Sequence, residues 1–226
     1  VTYGRADRAL GETDVLISDV RVDAAGAFAR LAWGEESADL VMGVPGEHNV
    51  LNAAGAWVVG IECGLEPQAV ADGLGQFRGA ARRFEARGRV GTRRLFDDYA
   101  HHPTEVEAAI REARVVADGA EVTVVFQPHL YSRTRIFAER FAAALMGADH
   151  VVLAGIYGAR EDPEPGVDST LIASRVPGAS YVEDMHEAAR LAASMTPERG
   201  VCVTMGAGSI TSCGVDVLEE WKRMEA

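Results

Sequence analysis

Glu121-Val122-Thr123-Val124-Val125-Phe126-Gln127, followed by Pro128-His129-Leu130-Tyr131-Ser132-Arg133, is the stretch that decides the fold. Val122 to Phe126 is an apolar run, as expected of a strand covered on both faces. Segments of the same kind recur around it at Arg93–Asp97, His150–Ala154, Ser180–Glu183 and Val201–Met205. Between them lie helical patterns at Pro103–Ala117, Arg133–Met146, Ser169–Arg175, Asp184–Met195 and Val215–Met224. Val106, Ile110, Ala113 and Ala117 share one helical face, as do Met185, Ala188, Ala192 and Met195. Strict alternation of strand and helix predicts a doubly wound α/β domain with a mostly parallel, Rossmann-like sheet.

Upstream, the pattern is strand-rich. Val15, Ile17, Val20 and Val22 form one apolar set, and Asp23-Ala24-Ala25-Gly26 is a turn before Phe28–Trp33, which predicts a hairpin. Leu40, Met42 and Val44 make a further strand, ended by Pro45-Gly46. Helices are expected over His48–Ile61, with Gly64 as its stop, and from Glu66-Pro67-Gln68 to Phe77. Gly75–Gly91 holds five arginines and Gly79, Gly88 and Gly91, and a domain boundary is placed there, at 86/87. The first part reads as an incomplete α/β domain. Its strands would leave unpaired edges, which an exchanged segment or a homodimer would cover. Val1 already stands in a strand-like pattern, so the chain is expected to begin partway through a longer protein.

The 226 residues carry a formal net charge of −12, which argues against nucleic acid or an anionic membrane as the main partner. The longest weakly polar stretch, Phe141–Ala159, is broken by Asp149 and His150, so no membrane span is expected. Cys63, Cys202 and Cys213 lack metal-ligand spacing and read as small buried hydrophobes in a reducing cytoplasm. The single lysine, Lys222, lies near the end of the chain. A P-loop needs Gly-Lys-Ser/Thr, so this chain contains none. Any phosphate must be handled by Arg, His and backbone N–H groups.

In open α/β sheets, ligands bind beyond the carboxyl ends of the strands. The loops there are Asp97-Asp98-Tyr99-Ala100-His101-His102-Pro103, Pro128–Arg133, Gly155-Ile156-Tyr157-Gly158-Ala159-Arg160-Glu161 and Gly206-Ala207-Gly208-Ser209. Three of the six histidines fall on this rim, which makes it the candidate site. Asp97, Asp98, His101 and His102 could ligate a metal, although successive strand residues point opposite ways. Asp98 and His102 could instead cap the helix from Pro103, or the loop could face a polar ligand. No metal site is assigned. Gly206-Ala207-Gly208 fits a phosphate turn or close strand–helix packing. Arg82-Arg83 reads as a solvated pair or as a bridge between domains. Asn49 and Asn52 share a helix face and suit an adenine edge or a polar helix start.

Taken in order, Gly46-Glu47-His48-Asn49-Val50-Leu51-Asn52, Gly79-Ala80-Ala81-Arg82-Arg83-Phe84, Asp97–Glu105, Phe126–Thr134 and Met205–Gly208 resemble the Mur ligases, and most of all their alanine-adding branch. The resemblance covers nearly the whole chain but only the later part of the family's chain. It implies that 1–86 is the tail of a central ATP-binding domain and 87–226 the C-terminal amino-acid-binding domain. It also implies an ATP-dependent ligase of peptidoglycan synthesis that joins L-alanine to UDP-N-acetylmuramate through an acyl phosphate. The P-loop, most Mg²⁺ ligands and the UDP-binding domain would lie upstream, leaving this part inactive alone.

By the same resemblance, His48, Asn49 and Asn52 border the adenine, Arg83 the phosphates and Asp98 the ribose. His101, His129 and Arg133 face the amino acid and the transferring groups, with Arg133 on the alanine carboxylate, and Tyr99 and Tyr157 line that pocket. Leu130 stands where many relatives have Arg. Three other readings remain at this level: a related ligase that recycles murein tripeptide, a stand-alone nucleotide or amino-acid binding module, and a metallohydrolase using the Asp97/Asp98/His101/His102 group.

Overall fold

A computed structural model describes residues 2–5 and 14–226. The chain divides into two compact units, Val1–Gly79 and Ala80–Ala226. Residues 80–86, assigned to the first part from sequence, therefore belong to the second. The reason is local: Phe84 N–H donates to Asp98, Tyr99 N–H donates to the Arg82 carbonyl, and a strand begins at Glu85.

The first unit is a four-stranded sheet in the order β1 (Tyr3–Arg5), β2 (Val15–Asp23), β3 (Gly26–Trp33), β4 (Glu36–Met42). β1 runs parallel to β2, and the other pairings are antiparallel. Two helices, α1 (Glu47–Glu62) and α2 (Pro67–Leu74), complete it. The apolar set in β2 changes parity, from Val15 and Ile17 to Val20 and Val22. A bulge between Ser18 and Arg21, with Asp19 at φ 52°, supplies the extra residue that keeps both halves against the core. Val15, Ile17, Ala29, Leu31, Leu40 and Met42 pack with Val50, Ala53, Ala54 and Trp57 of α1. The Trp57 indole N–H is satisfied by the Pro67 carbonyl at 2.9 Å. The edge expected at β4 is partly closed: Gln68 accepts from Asp39 N–H (3.1 Å) and donates to the Asp39 carbonyl (3.0 Å).

The second unit carries a six-stranded sheet. Its strands are β5 (Glu85–Val90), β6 (Arg93–Asp98), β7 (Val122–Phe126), β8 (His150–Leu153), β9 (Ser180–Tyr181) and β10 (Val201–Met205). The order is β5-β6-β10-β7-β8-β9, parallel except for β5. The helices are α3 (Pro103–Ala117), α4 (Tyr131–Leu145), α5 (Thr170–Ala173), α6 (Met185–Met195) and α7 (Gly214–Glu225), with a 3-10 turn at Ser209–Cys213. α3, α4 and α5 cover one face, and α6 and α7 the other. β10 returns between β6 and β7, so the winding reverses there and opens a crevice at the carboxyl ends of these three strands. This is the expected doubly wound α/β fold.

The sequence reading misses β5. Glu85-Ala86-Arg87-Gly88-Arg89-Val90 lies along the sheet edge, mostly exposed and bulged between Ala86 and Gly88, and therefore carries no apolar alternation. Cys63 is also corrected: it is exposed at the end of α1, whereas Cys202 and Cys213 are buried. Val1 lies outside the described residues. Among those described, no helix is long and apolar enough to cross a membrane.

Candidate functional site

The rim of the second sheet is built on buried acids that hold its loops. Asp97, at 0% exposure, accepts from Thr204 Oγ1 (2.6 Å) and Thr211 Oγ1 (2.8 Å), and Arg82 Nε lies 3.4 Å away. Asp98 accepts from the N–H groups of Ala100 (2.7 Å) and Phe84 (2.8 Å). Burial nevertheless lifts the Asp98 carboxyl above its ordinary range, against the pull of those two amides. Arg82 is not a solvated charge: it donates to the carbonyls of Gly206 (2.6 Å) and Gly208 (3.2 Å) and lies over the Tyr99 ring.

These contacts decide between the readings of the rim. Asp97 and Asp98 are committed to hydroxyls and amides, and they do not converge with His101 and His102 on a common point. Among the described residues, the only group of three or more metal-capable side chains lies elsewhere. His102 does cap α3, receiving Thr104 N–H, while Glu105 receives the N–H groups of His101 (3.0 Å) and His102 (3.2 Å) in a reciprocal box. Burial opposes charge on Glu105, but these amides, His101 and Arg83 together hold its carboxyl below the ordinary range. Asp98 is not the cap. Gly206 and Gly208 serve close packing. A Cβ at Gly206 would lie 2.6 Å from the Gln127 carbonyl, and one at Gly208 2.5 Å from Gln127 Oε1 and 2.6 Å from the Tyr157 ring.

Above this base stands a row of side chains. The Tyr99 and His101 ring centroids are 5.1 Å apart, those of His101 and His129 5.9 Å, and those of His129 and Tyr157 5.7 Å with the rings stacked. Arg133 joins the row with Nη1 3.3 Å from the His101 carbonyl, and the Arg83 guanidinium lies 5.8 Å from the Tyr99 ring centroid. α4 begins two residues before the expected Arg133, at Tyr131, which places Arg133 in its first turn. The Leu130 backbone at φ 72° makes that entry, and its N–H donates to the Tyr157 carbonyl at 2.9 Å.

The five residues expected around the amino acid therefore come together. His129 Nδ1 is buried without a hydrogen-bond partner among the described residues. Burial, then Arg133 and His101, push the His129 pKa below its ordinary value, so the ring is neutral at pH 7. A neutral imidazole beside a guanidinium suits an anionic group next to an amine: the guanidinium binds a carboxylate, and the ring holds or accepts a proton. Of the expected nucleotide contacts, His48, Asn49 and Asn52 lie in the first unit at the start of α1, where Asn49 donates to the Pro45 carbonyl at 2.7 Å.

Sequence reasoning names Arg82 only as half of a doublet and Glu161 only as the end of a rim loop, gives neither a supporting role, and does not single out Glu105. Glu161, which receives Ser132 N–H at 2.9 Å and also the Ser132 hydroxyl, lies 29 residues downstream of it. Those two bonds hold the Glu161 carboxyl below its usual range. Glu105 was readable, being three residues after His102 before an apolar helix.

Residues 82–208 match the family described as Mur ligase, glutamate ligase domain. Among curated proteins, the UDP-N-acetylmuramate–L-alanine ligase of Kineococcus radiotolerans is 48% identical over 221 residues, 96% of this chain and 46% of that protein. That of Thermobifida fusca is 43% identical over 232 residues, 97% of this chain and 48% of that protein. The chain thus spans about half the length of these relatives. The crystal structure of UDP-N-acetylmuramate-alanine ligase MurC from Thermotoga maritima superposes with a TM-score of 0.80 at 26% identity, covering 99% of this chain and 48% of that one. A MurF ligase from Thermotoga maritima in complex with ADP shares the fold, with a TM-score of 0.68 at 17% identity, over 94% of this chain and 47% of that one. The matched segment begins at the arginine that ties the rim together and ends at its last glycine, and the chain belongs to the Mur ligase family.

Proposed function

We propose that this chain is the C-terminal part of an ATP-dependent ligase that joins L-alanine to UDP-N-acetylmuramate. Its second unit supplies the amino-acid site, and residues outside this chain complete the ATP and sugar sites. The observation that carries the reading is the convergence of Arg133, His129 and His101 on one rim. Its likeness to the L-alanine ligases named above supports the choice of amino acid.

In this scheme the muramate carboxylate attacks the γ-phosphorus of ATP, giving an acyl phosphate and ADP. The alanine amine attacks the acyl carbon, and inorganic phosphate leaves as the amide forms. The enzyme supplies positioning and charge rather than a nucleophile. Arg133 holds the alanine carboxylate through its guanidinium fork. His129 and His101 stand beside the amine and the leaving oxygen, and the neutral His129 ring can take the proton the amine loses. Tyr99 and Tyr157 line the pocket from the two ends of the row. Arg83 faces the phosphates, and each Asp98 oxygen keeps a lone pair for a ribose hydroxyl. His48, Asn49 and Asn52 border the adenine. The rim acids are already bonded to hydroxyls and amides and do not form an oxygen cage for Mg²⁺. Mg²⁺ is therefore assigned to residues outside this chain.

The test is Arg133→Ala in the complete enzyme. Loss of a charge-assisted carboxylate contact should raise the KM for L-alanine roughly 10- to 100-fold and leave the KM for ATP near its wild-type value. An unchanged alanine KM would remove the carboxylate assignment.

A further inference from the structure

A second cluster of chemically capable side chains lies near the same end of the sheet, on its other face. His186 is in the first turn of α6, Cys213 ends the 3-10 turn, and Asp216 is in the first turn of α7. His186 Nδ1 is 2.7 Å from Asp216 Oδ2 and 3.7 Å from Cys213 Sγ, and the three atoms lie within 4.8 Å of one another. We propose that His186, Cys213 and Asp216 form a binding site for a thiophilic divalent cation of the Zn²⁺ class.

The geometry separates this from the other use of such a trio. In a nucleophile–imidazole–carboxylate relay, the ring uses one nitrogen toward each partner. Here thiol and carboxylate face the same nitrogen, so the three atoms surround a point instead of forming a line. The Cys213 side chain is buried beside that nitrogen. A cation at the common point would hold it as thiolate.

The distances suit that cation. Tetrahedral Zn²⁺ with ordinary bond lengths places sulfur and nitrogen ligands about 3.6 Å apart, close to the 3.7 Å observed. The nitrogen–oxygen pair would open from its hydrogen-bonded 2.7 Å by about 0.7 Å. Arg190 Nη1 holds the other Asp216 oxygen at 2.8 Å, which orients the carboxylate and leaves Oδ2 for the metal. Thiolate and carboxylate neutralise a divalent ion, and Asp184, the α6 cap, receives the N–H groups of His186 and Glu187. Cys213 is fully buried, but the His186 side chain is 44% exposed and gives the ion a way in. Three protein ligands leave a fourth position to water.

The test titrates Co²⁺ and Zn²⁺ into the reduced, tag-free chain carrying Cys63→Ser, which removes the exposed thiol. The expected result is one Co²⁺ per chain, a thiolate-to-cobalt charge-transfer band in the near ultraviolet, and displacement of that band by Zn²⁺. His186→Ala, at a half-exposed position that leaves the core intact, should weaken Zn²⁺ binding on the order of 100-fold and remove the rise in Tm that Zn²⁺ gives. Cys213→Ser should abolish the band. Absence of the band, or Zn²⁺ affinity unchanged in His186→Ala, overturns the proposal.

Discussion

The second unit holds two histidine clusters, and their neighbours make them opposites. His129 stands beside Arg133 and His101, and burial, then those two neighbours, keep its ring neutral against the pull of Glu161, while His101 Nδ1 lies 3.3 Å from Glu105. His186 faces a carboxylate and a thiol through one nitrogen. The first arrangement gathers positive charge and suits an anionic ligand; the second gathers potential negative charge and suits a cation. The same side chain therefore serves opposite chemistry, and what surrounds the ring decides which.

If neighbours set protonation in this unit, the largest effect should appear at Glu112 on α3. Its carboxyl is pushed up to about 8 by burial and then by the charge of Asp98. Unfolding exposes a carboxyl that ionises near its ordinary 4.5, so between about 4.5 and 8 the unfolded chain binds fewer protons than the native one. Native stability should fall as pH rises through that window. Glu112→Gln, which cannot ionise, should gain roughly 4 kcal/mol on wild type between pH 5 and pH 8, read by denaturant melts. Parallel pH profiles for the two proteins would break the argument.

The comparison can also be reversed by design. Arg133→Glu puts a carboxylate beside His129 and makes the first cluster resemble the second. The His129 pKa should rise, followed by NMR titration of the ring. In the complete enzyme, kcat/KM for the amino acid should fall by about 100-fold or more, since a cation is replaced by an anion facing a carboxylate. A rise in pKa without loss of amino-acid recognition would separate the electrostatics of the row from its proposed ligand. The smallest effect belongs to His102, which caps a helix and faces neither cluster. His102→Ala should cost about 1 kcal/mol or less, because Glu105 keeps its half of the box. A larger loss of stability, or any loss of amino-acid affinity, would place His102 in the row.

The strand–helix order of the second unit was legible because Val122–Phe126 and Val201–Met205 are buried on both faces and so carry apolar runs. β5 was not, because an exposed edge strand buries too little to leave a pattern. The reading of Val15–Val22 as one alternating set passed over the parity change in β2, which the bulge at Asp19 accommodates. In the site, the row was legible through motif segments. Arg82, Glu161 and the His186 cluster were not, because they join residues far apart in sequence. Cys213 and Asp216 stand three apart in the chain, but His186 precedes Cys213 by 27 residues and only the packing of α6 against α7 makes them a set.

One contact in the first unit has a wider consequence. At Asp39, the Gln68 carboxamide takes both the N–H and the carbonyl that an added strand would use. A foreign strand approaching along β4 meets a site whose valence is already filled by a side chain. Edge-to-edge growth from that side must first evict the carboxamide at Asp39, in the part of the edge that α2 already lies against.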